Sequence, residues 1–306
     1  MGELDVSFLV VNYKNPQVTA DCLESIQRAG LACTYETIVV DNCSGDGSPD
    51  FLRGRFPTAT VTETERNGGF AYANNIGARL ARGEYVALLN NDTLLAPGVL
   101  DRMLGYFRAN DGIGAMGCRC VNGDGLEIPA SHRFSSVGSM LRQVCIKPVL
   151  SALGLQRRLV ARAQKSGGGS PRQVDWLTGS FLLMPRALYL ELGGLDEGFF
   201  LYMEDEDLCR RVRGRGKDVV LWPEIGYTHL CGASTPASAF VLLEYMKSKY
   251  RYYSIYDSGR LGWYRALIAK QLRQFSKNLP REERLRAARE FDGYVRGSAG
   301  AAAGVS

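Results

Sequence analysis

The 306-residue chain lacks the patterns that mark several common classes of protein. No run of about 18 apolar residues occurs, so no membrane-spanning helix is predicted. The composition, 45% hydrophobic and 23% charged, is typical of a globular protein and excludes a disordered chain or a coiled coil. Acidic residues precede only a short apolar run near the start, which favours a strand over a signal peptide.

Cysteine and histidine are too sparse for most metal and redox motifs. The eight cysteines are irregularly spaced, and the close pair Cys118 and Cys120 lacks CxxC spacing. We therefore expect free thiols in a reducing cytoplasm. His132 and His229 are the two histidines, and a lone histidine is more often a satisfied polar residue than a metal ligand.

Several motifs of nucleotide-binding and hydrolytic enzymes are also absent. No GxGxxG follows the first predicted strand, and neither GxxxxGKS nor GxxxxGKT occurs, so a dinucleotide fold and a P-loop are not indicated. The absence of GxSxG and HExxH disfavours an α/β-hydrolase and a zinc protease.

The net charge of +5 is unevenly distributed along the chain. Residues 133–172 carry eight Lys and Arg and no Asp or Glu, and residues 240–296 carry 13 against six. The rest of the chain is therefore acidic. Basic segments of this kind bind nucleic acid, anionic lipid or phosphorylated ligands, or simply form solvated helix faces, and the sequence leaves these alternatives open.

Strand and helix patterns alternate along the first two thirds of the chain, which predicts an α/β fold with a mostly parallel, helix-covered sheet. The predicted strands are 6–11, 37–40, 59–63, 85–89, 114–120, 174–185 and 218–222, the last ending in a turn at Pro223. The predicted helices begin near Pro16 and cover 71–82 and 97–108. Because ligands bind beyond the carboxyl ends of such strands, Asp41 and Asp92, which directly follow two of them, are expected to point into a binding crevice.

Two regions differ from this pattern. Residues 133–172 are predicted to be a basic amphipathic insertion, closed by a flexible link at 165–171, within a main domain of residues 1–236. Residues 237–306 are predicted to be a basic helical region, frayed from Ser298 onward. Its aromatic residues suit either a membrane interface or a core between helices; they are Tyr245, Tyr250, Tyr252, Tyr253, Trp263 and Tyr264.

Two acidic motifs are candidates for chemistry. Asp92, in LLNNDT, is either a helix cap or a divalent-metal ligand that bridges a diphosphate. The four consecutive acids of 204–207, in GFFLYMEDEDL, suit the first turn of a helix, where the macrodipole favours them. Glu204 or Asp205 at that position could also act as a general base. Paired carboxylates are found in glycosidases too, but acids at strand ends fit nucleotide binding better.

Taken together, these segments resemble the family 2 glycosyltransferases of the GT-A fold, a Rossmann-like sheet flanked by helices. The resemblance spans about residues 4–235 and is closest to bacterial rhamnosyltransferases. Its motifs, in order, are VSFLVVNYKN, ETIVVDNCSGDGS, ERNGGFAYANNIGA, LLNNDT, WLTGSFLLMPR, GGLDEGFFLYMEDEDLCRR and WPEIGYTHLCGAST.

The resemblance implies a role for each matching residue. Asp205 would be the general base, with Glu204 orienting it or binding the acceptor. Asp92 and His229 would hold Mg²⁺ or Mn²⁺. The nucleotide-sugar would be bound by Asn12, Asp41, Asn67, Gly68, Gly69 and Asn91. Many relatives carry an aspartate where this chain has Asn90, so its metal affinity is expected to be modest.

The resemblance also implies an inverting transfer of a sugar to a hydroxyl of a glycan or lipid-diphosphate-linked acceptor in cell-surface polysaccharide assembly. The donor would be dTDP-rhamnose, and the enzyme would be cytoplasmic or peripheral on the cytoplasmic face of the inner membrane. The alternatives are transfer of another hexose from a UDP- or GDP-sugar, and a non-catalytic module that binds sugar-nucleotide or polysaccharide. Nucleic-acid binding has no recognised motif in its favour.

Overall fold

The structure is a computed structural model that describes residues 4–146, 169–231 and 238–302. Most of the predicted insertion, including four of the seven residues of its predicted flexible link, lies outside the described residues. The described chain forms two compact units. The first contains residues 4–134, 169–197 and 204–231, and the second contains residues 135–146, 198–203 and 238–302.

The first unit is built on a mixed sheet. The strands of the described residues are β1 Val6–Asn12, β2 Tyr35–Asp41, β3 Thr60–Glu63, β4 Tyr85–Asn90, β5 Thr93–Leu94, β6 Ile113–Val121, β7 Glu127–Ile128, β8 Ser131–His132, β9 Arg172–Gln173, β10 Trp176–Leu177, β11 Phe181–Pro185 and β12 Asp218–His229. The order of strands in the sheet is β3-β2-β1-β4-β11-β6-β12-β5. Neighbouring strands from β3 to β4 are parallel, β11 runs antiparallel to β4 and β6, and β12 is parallel to β6. The predicted α/β class is confirmed.

Helices cover this sheet, as predicted, and four more α-helices among the described residues form most of the second unit. Those of the first unit are α1 Pro16–Arg28, α2 Ser48–Arg55, α3 Gly69–Leu80, α4 Val99–Arg108, α6 Arg186–Glu191 and α7 Glu204–Gly214. Those of the second unit are α5 Val137–Leu141, α8 Ala239–Tyr256, α9 Leu261–Phe275 and α10 Arg281–Ala302. Helix α2 was not predicted, because its eight residues are mostly polar and give no clear apolar periodicity.

The core of the first unit lies between the central strands and the flanking helices. Phe8 and Val10 of β1 are fully buried, as are Val86 and Leu89 of β4. Continuous apolar runs suit strands that are covered on both faces, which is why these two strands could be predicted. Both end at polar residues on the same edge of the sheet, because they are parallel neighbours.

Two predicted strands differ from the structure. The apolar stretch 174–185 is interrupted, so that β10 and β11 are separated by residues 178–180. The turn predicted at Pro223 is wrong, because β12 continues through it to His229 with a shift of register between Trp222 and Gly226. Proline is tolerated in a strand at such an irregularity. Gly226 allows the close approach of β6, since a Cβ there would lie 2.7 Å from the carbonyl oxygen of Arg119.

The second unit has its own aromatic core. Tyr250, Tyr252, Tyr253 and Tyr264 are each at most 4% exposed, and the last two stack with ring centroids 3.6 Å apart. These tyrosines therefore form a core between helices and are not interfacial, whereas Trp263 is 66% exposed. Helix α10 also continues past the residue where fraying was predicted to begin. No helix within the described ranges is long and apolar enough to cross a bilayer.

The segment 198–203, which directly precedes α7, belongs to this second unit. Phe199 is fully buried in its core, and the hydroxyl of Ser248 donates a 2.9 Å hydrogen bond to the carbonyl oxygen of Leu201. The chain thus leaves the first unit after residue 197 and returns at Glu204. Tyr202 and Met203, at the return, both have positive φ, 67° and 72°, a conformation that costs a non-glycine residue about 1 kcal/mol or more.

Candidate active site

The carboxyl ends of β1 and β2 place Asn12 and Asp41 side by side. Both side chains are buried, and the Asn12 amide donates a 2.6 Å hydrogen bond to Oδ2 of Asp41. Ser44 donates two more to the same carboxylate, 2.8 Å from its backbone N–H to Oδ1 and 2.6 Å from its hydroxyl to Oδ2. Three donors therefore fix the orientation of Asp41 in its buried position.

The network continues across the sheet to Asn91. The hydroxyl of Thr19 donates a 2.6 Å hydrogen bond to Oδ1 of Asn12, and the Asn91 amide donates a 3.0 Å hydrogen bond to that hydroxyl. Asp41, Asn12 and Asn91 thus form one connected edge. Thr19 was missed in the sequence because it lies inside α1 and belongs to no motif.

A second residue that the sequence did not identify, Asn42, holds the loop that precedes α3. Its Nδ2 donates to Oδ1 of Asn67 at 2.9 Å and to the carbonyl oxygen of Gly69 at 3.1 Å. Its Oδ1 accepts the backbone N–H of Gly68 at 3.2 Å. Gly69 has a φ of 88°, which favours glycine. The signal available was that Asn42 directly follows Asp41 at a strand end.

Asp92 and His229 are brought together by the pairing of β5 with the end of β12. Thr93 is the register partner of His229, and the backbone N–H of Leu230 donates a 2.8 Å hydrogen bond to the carbonyl oxygen of Asp92. As a result, Oδ1 of Asp92 lies 3.0 Å from Nε2 of His229. The carboxylate is buried, and the imidazole is 18% exposed.

This pair fits a divalent cation. Two ligands in adjacent positions of an octahedral Mg²⁺ ion, each at about 2.1 Å, are separated by about 3.0 Å, which is the observed spacing. Nδ2 of Asn90 lies 3.5 Å from the same imidazole nitrogen, so its amide faces this point as well. No group of three His, Cys, Asp or Glu that could hold a metal occurs in the described part of the chain, so other ligands would have to come from substrate or water.

Asp205 lies in the first turn of α7 and is partly exposed. Its Oδ2 accepts the backbone N–H of Gly179 at 3.0 Å, and its Oδ1 accepts the backbone N–H of Glu206 at 2.8 Å. A Cβ added to Gly179 would lie 3.5 Å from Cβ of Asp205 and 3.7 Å from Cε1 of Phe70. The predicted base, the break between β10 and β11 and the start of α3 therefore meet at one point.

Burial changes the acidity of both predicted catalytic carboxyl groups. It raises the pKa of Asp205 to about 6, against the lowering effect of the N–H groups of Gly179 and Glu206. Burial, and after it the negative charge of Asp205, raises the pKa of Glu204 well above its usual range. Oε2 of Glu204 is buried and has no hydrogen-bond partner among the described residues. Glu204 is therefore protonated over a wider pH range than an ordinary glutamate.

The neighbouring acids do not all serve the same purpose. Asp207 pairs with Arg211, 2.8 Å from Nε and 2.6 Å from Nη2 to its Oδ2. Nη1 of Arg211 donates to the carbonyl oxygens of Leu192 and Gly194, each at 2.8 Å. Asp207 thus anchors the loop after α6, and Asp205 is the more exposed carboxylate of the two.

Residues 178–180 link the base to the Asp92 loop. While Gly179 contacts Asp205, the carbonyl oxygen of Ser180 accepts the backbone N–H of Asn90 and the hydroxyl of Thr93, both at 3.1 Å. Sequence reasoning missed this role, because the whole stretch was read as one strand. His132 has no place in this arrangement: it stacks on Trp176, with ring centroids 4.7 Å apart.

Comparison with known sequences yields one family and several named relatives. Residues 7–166 match the family described as Glycosyl transferase family 2. The chain is 30% identical over 250 residues to N-acetylglucosaminyl-diphospho-decaprenol L-rhamnosyltransferase of Mycobacterium tuberculosis, over 77% of this chain and 79% of that protein. It is 29% identical over 200 residues to rhamnosyltransferase WbbL of Escherichia coli, over 60% of this chain and 69% of that protein.

Comparison with solved structures supports the fold. Mannosyltransferase PcManGT from Pyrobaculum calidifontis, solved with GDP-Man and Mn²⁺, matches with a TM-score of 0.57 and 17% identity, over 98% of this chain and 76% of that one. GalNAc-T7, solved with UDP, GalNAc and Mn²⁺, matches with a TM-score of 0.58 and 17% identity, over 94% of this chain and 55% of that one. The predicted GT-A fold is confirmed.

Proposed function

As a member of glycosyl transferase family 2, this chain is a glycosyltransferase, and we propose that it transfers rhamnose from dTDP-rhamnose to a lipid-diphosphate-linked glycan with inversion at the anomeric carbon. The observation that carries the proposal is similarity over most of the chain to a protein named as an L-rhamnosyltransferase of N-acetylglucosaminyl-diphospho-decaprenol. The product would serve cell-surface polysaccharide assembly at the cytoplasmic face of the inner membrane.

The donor would lie along the edge formed by Asn12, Asp41 and Asn91. Tyr13, which follows Asn12 and is 39% exposed, offers an aromatic face to the nucleobase. The loop of Asn67, Gly68 and Gly69 begins helix α3, and backbone N–H groups at a helix start favour anionic ligands.

Asp92 and His229 would hold Mg²⁺ or Mn²⁺ together with oxygens of the donor diphosphate. When bound there, such an ion neutralises the charge that develops on the departing nucleoside diphosphate. The hydrogen bond that Leu230 donates to the Asp92 loop, and those that the loop donates to the carbonyl oxygen of Ser180, would keep both side chains in position before the donor arrives.

Asp205 would act as the general base. Its carboxylate removes the proton of the acceptor hydroxyl as that oxygen bonds to the anomeric carbon and the bond from that carbon to the diphosphate breaks. The N–H groups of Gly179 and Glu206 hold both carboxylate oxygens, which fixes the direction of proton transfer. The proton remains on Asp205 until the product leaves. Glu204 would stay protonated beside it and orient it.

The test is donor turnover by the full chain. Release of nucleoside diphosphate is measured with dTDP-rhamnose and with UDP-, GDP- and other dTDP-sugars, with Mn²⁺, Mg²⁺ or EDTA, and with or without a polyprenyl-diphosphate-linked N-acetylglucosamine acceptor. We expect cation-dependent release of dTDP from dTDP-rhamnose. Asp205→Asn should abolish turnover and spare donor binding, whereas Asp124→Asn, in an exposed turn, should leave both unchanged. Turnover of a different sugar alone would overturn the rhamnose assignment. Failure to bind any donor would favour a non-catalytic module.

A further inference from the structure

The solvent-facing side of α9 carries aromatic and basic residues in one stripe. Trp263, Ala266, Lys270 and Arg273 of α9 are exposed and follow one another at intervals of three and four residues, and the exposed Lys277 lies just beyond the end of the helix. Residues so spaced lie on one face of a helix. The opposite face is packed in the core of the second unit, where Tyr264, Leu267, Ile268 and Leu272 are buried.

The residues on this side of the second unit carry a net positive charge. From residue 258 to residue 280 the sequence contains five Lys and Arg and no Asp or Glu. Two of the five are neutralised from outside this stretch, because Arg260 pairs with Asp257 and Arg265 with Asp292. Lys270 and Arg273 add positive charge to the helix face that exposes Trp263, and Lys277 adds more just beyond the helix end.

A second exposed apolar group lies next to the stripe. Nζ of Lys270 is 3.4 Å from Sγ of Cys145, and Nε2 of Gln274 donates a 3.1 Å hydrogen bond to the carbonyl oxygen of Val144. The turn that follows α5 therefore runs along α9. Its last described residue, Ile146, is 50% exposed, and Leu141 of α5 is 38% exposed.

We propose that this surface, formed by the α9 stripe with Leu141 and Ile146, docks on an anionic phospholipid bilayer. Cations attract the headgroups, while an indole and aliphatic side chains gain by leaving water at the headgroup level. Nucleic acid would engage the cations but would not bury Ile146 or Leu141, so a lipid surface fits the whole set better. The inference rests on the proposed function in one respect, because a lipid-linked acceptor lies at such a surface.

The proposal is tested by vesicle binding of the full chain without donor or acceptor, so that its outcome does not depend on turnover. Vesicles of phosphatidylcholine alone are compared with vesicles that contain about 30% phosphatidylglycerol, at about 0.1 M and 0.5 M salt. We expect binding to the anionic vesicles at low salt, a blue shift of tryptophan emission, and quenching by lipids brominated on their acyl chains. Trp263→Phe should remove the quenching, because Trp176 and Trp222 are each partly buried and are not part of the surface defined above.

The charge contribution is tested with a matched pair of variants. Lys270→Glu with Arg273→Glu should weaken partitioning by about 30-fold or more, since each cation near an anionic surface contributes about fivefold. Arg284→Glu with Arg289→Glu, two exposed positions on α10, makes the same change of charge and should have a much smaller effect. Equal losses in both pairs, binding without quenching of Trp263, or binding to RNA but not to vesicles would each overturn the proposal. Vesicle binding by a chain that turns over no donor would leave it standing.

Discussion

Oδ2 of Asp205 accepts a 3.0 Å hydrogen bond from the backbone N–H of Gly179, a residue in the break between two strands. The next residue, Ser180, binds the Asp92 loop through its carbonyl oxygen. A three-residue interruption of an otherwise apolar stretch therefore positions the predicted base relative to the predicted metal ligands. The hydrogen bonds are made by the backbone N–H of Gly179 and the carbonyl oxygen of Ser180, so this positioning does not depend on a side chain at either residue.

The first prediction concerns the pH dependence of transfer. Because burial raises the pKa of Asp205 to about 6, the base loses its proton as pH rises through that value. We expect kcat/KM to rise about tenfold per pH unit below 6 and to level off above it, measured in steady-state assays from pH 4.5 to 8. A profile that is flat from pH 5 to 8 would contradict the assignment of Asp205 as base.

The second prediction concerns the cation. Asp92→Asn and His229→Ala should each lower the Mn²⁺-dependent affinity for a nucleoside diphosphate by at least about tenfold, because each removes one of the two proposed side-chain ligands. Calorimetric titration of dTDP with and without Mn²⁺ measures this directly. Asp101→Asn, in α4, is the control, since its carboxylate accepts hydrogen bonds from the backbone N–H groups of residues 32 and 33. Donor affinity that ignores Mn²⁺ in the unmodified protein would refute the site.

The third prediction concerns stability. Glu204 binds its proton more tightly in the folded than in the unfolded chain, so stability should fall as pH rises above the ordinary value of 4.5. Glu204→Gln keeps the shape of the side chain and removes the cost of burying a charged carboxylate at high pH. We expect the variant to be more stable than the unmodified chain at pH 8 and equally stable near pH 4.5, by urea unfolding. A gain of the same size at both pH values would rule out burial of charge as its cause.

The fourth prediction concerns the loop that begins α3. Asn42→Asp loses the two hydrogen bonds that the Asn42 amide donates to Asn67 and Gly69. We expect donor KM to rise about tenfold or more, with a smaller change in kcat, because the loop would no longer be held in its binding conformation. Asn122→Asp is the control in an exposed turn, where the side-chain oxygen accepts two backbone N–H groups and the amide donates one 3.4 Å hydrogen bond, to the exposed Asp124. A loss confined to kcat would mean that Asn42 does not act through donor binding.

Much of the fold was predictable because its signals are local. The buried strands β1, β2 and β4 are continuous apolar runs that end in polar residues, and α7 begins with four acids where the helix dipole favours them. The extension of β12 past Pro223 was not predictable, because it depends on a register shift against β6. That extension brings His229 next to Asp92. The sequence pattern alone therefore could not pair these two residues, and only the resemblance to family 2 glycosyltransferases did so.

The supporting residues of the site were hidden for a related reason. Asn42, Thr19 and Gly179 act on residues 25, 72 and 26 positions away, respectively. Thr19 lies outside every motif, and the motifs that contain Asn42 and Gly179 gave neither residue a role. A motif identifies the side chains that meet a ligand. Which backbone and amide groups hold those side chains depends on how distant segments pack.

Residues 198–203 belong to the second unit although the residues on either side of them belong to the first, so neither unit corresponds to one continuous stretch of the gene. Phe199 is in the core of the helical unit, yet it precedes Glu204 and Asp205 by only a few residues. A truncation that removed the C-terminal helices would expose Phe199 and Met203 to water and would release the strained backbone that leads into α7. A chimaera of two relatives would therefore need to take residues 198–203 and the C-terminal helices from the same parent. Because residues 198–203 directly precede the acidic motif, we expect that motif and the C-terminal helices to be inherited together.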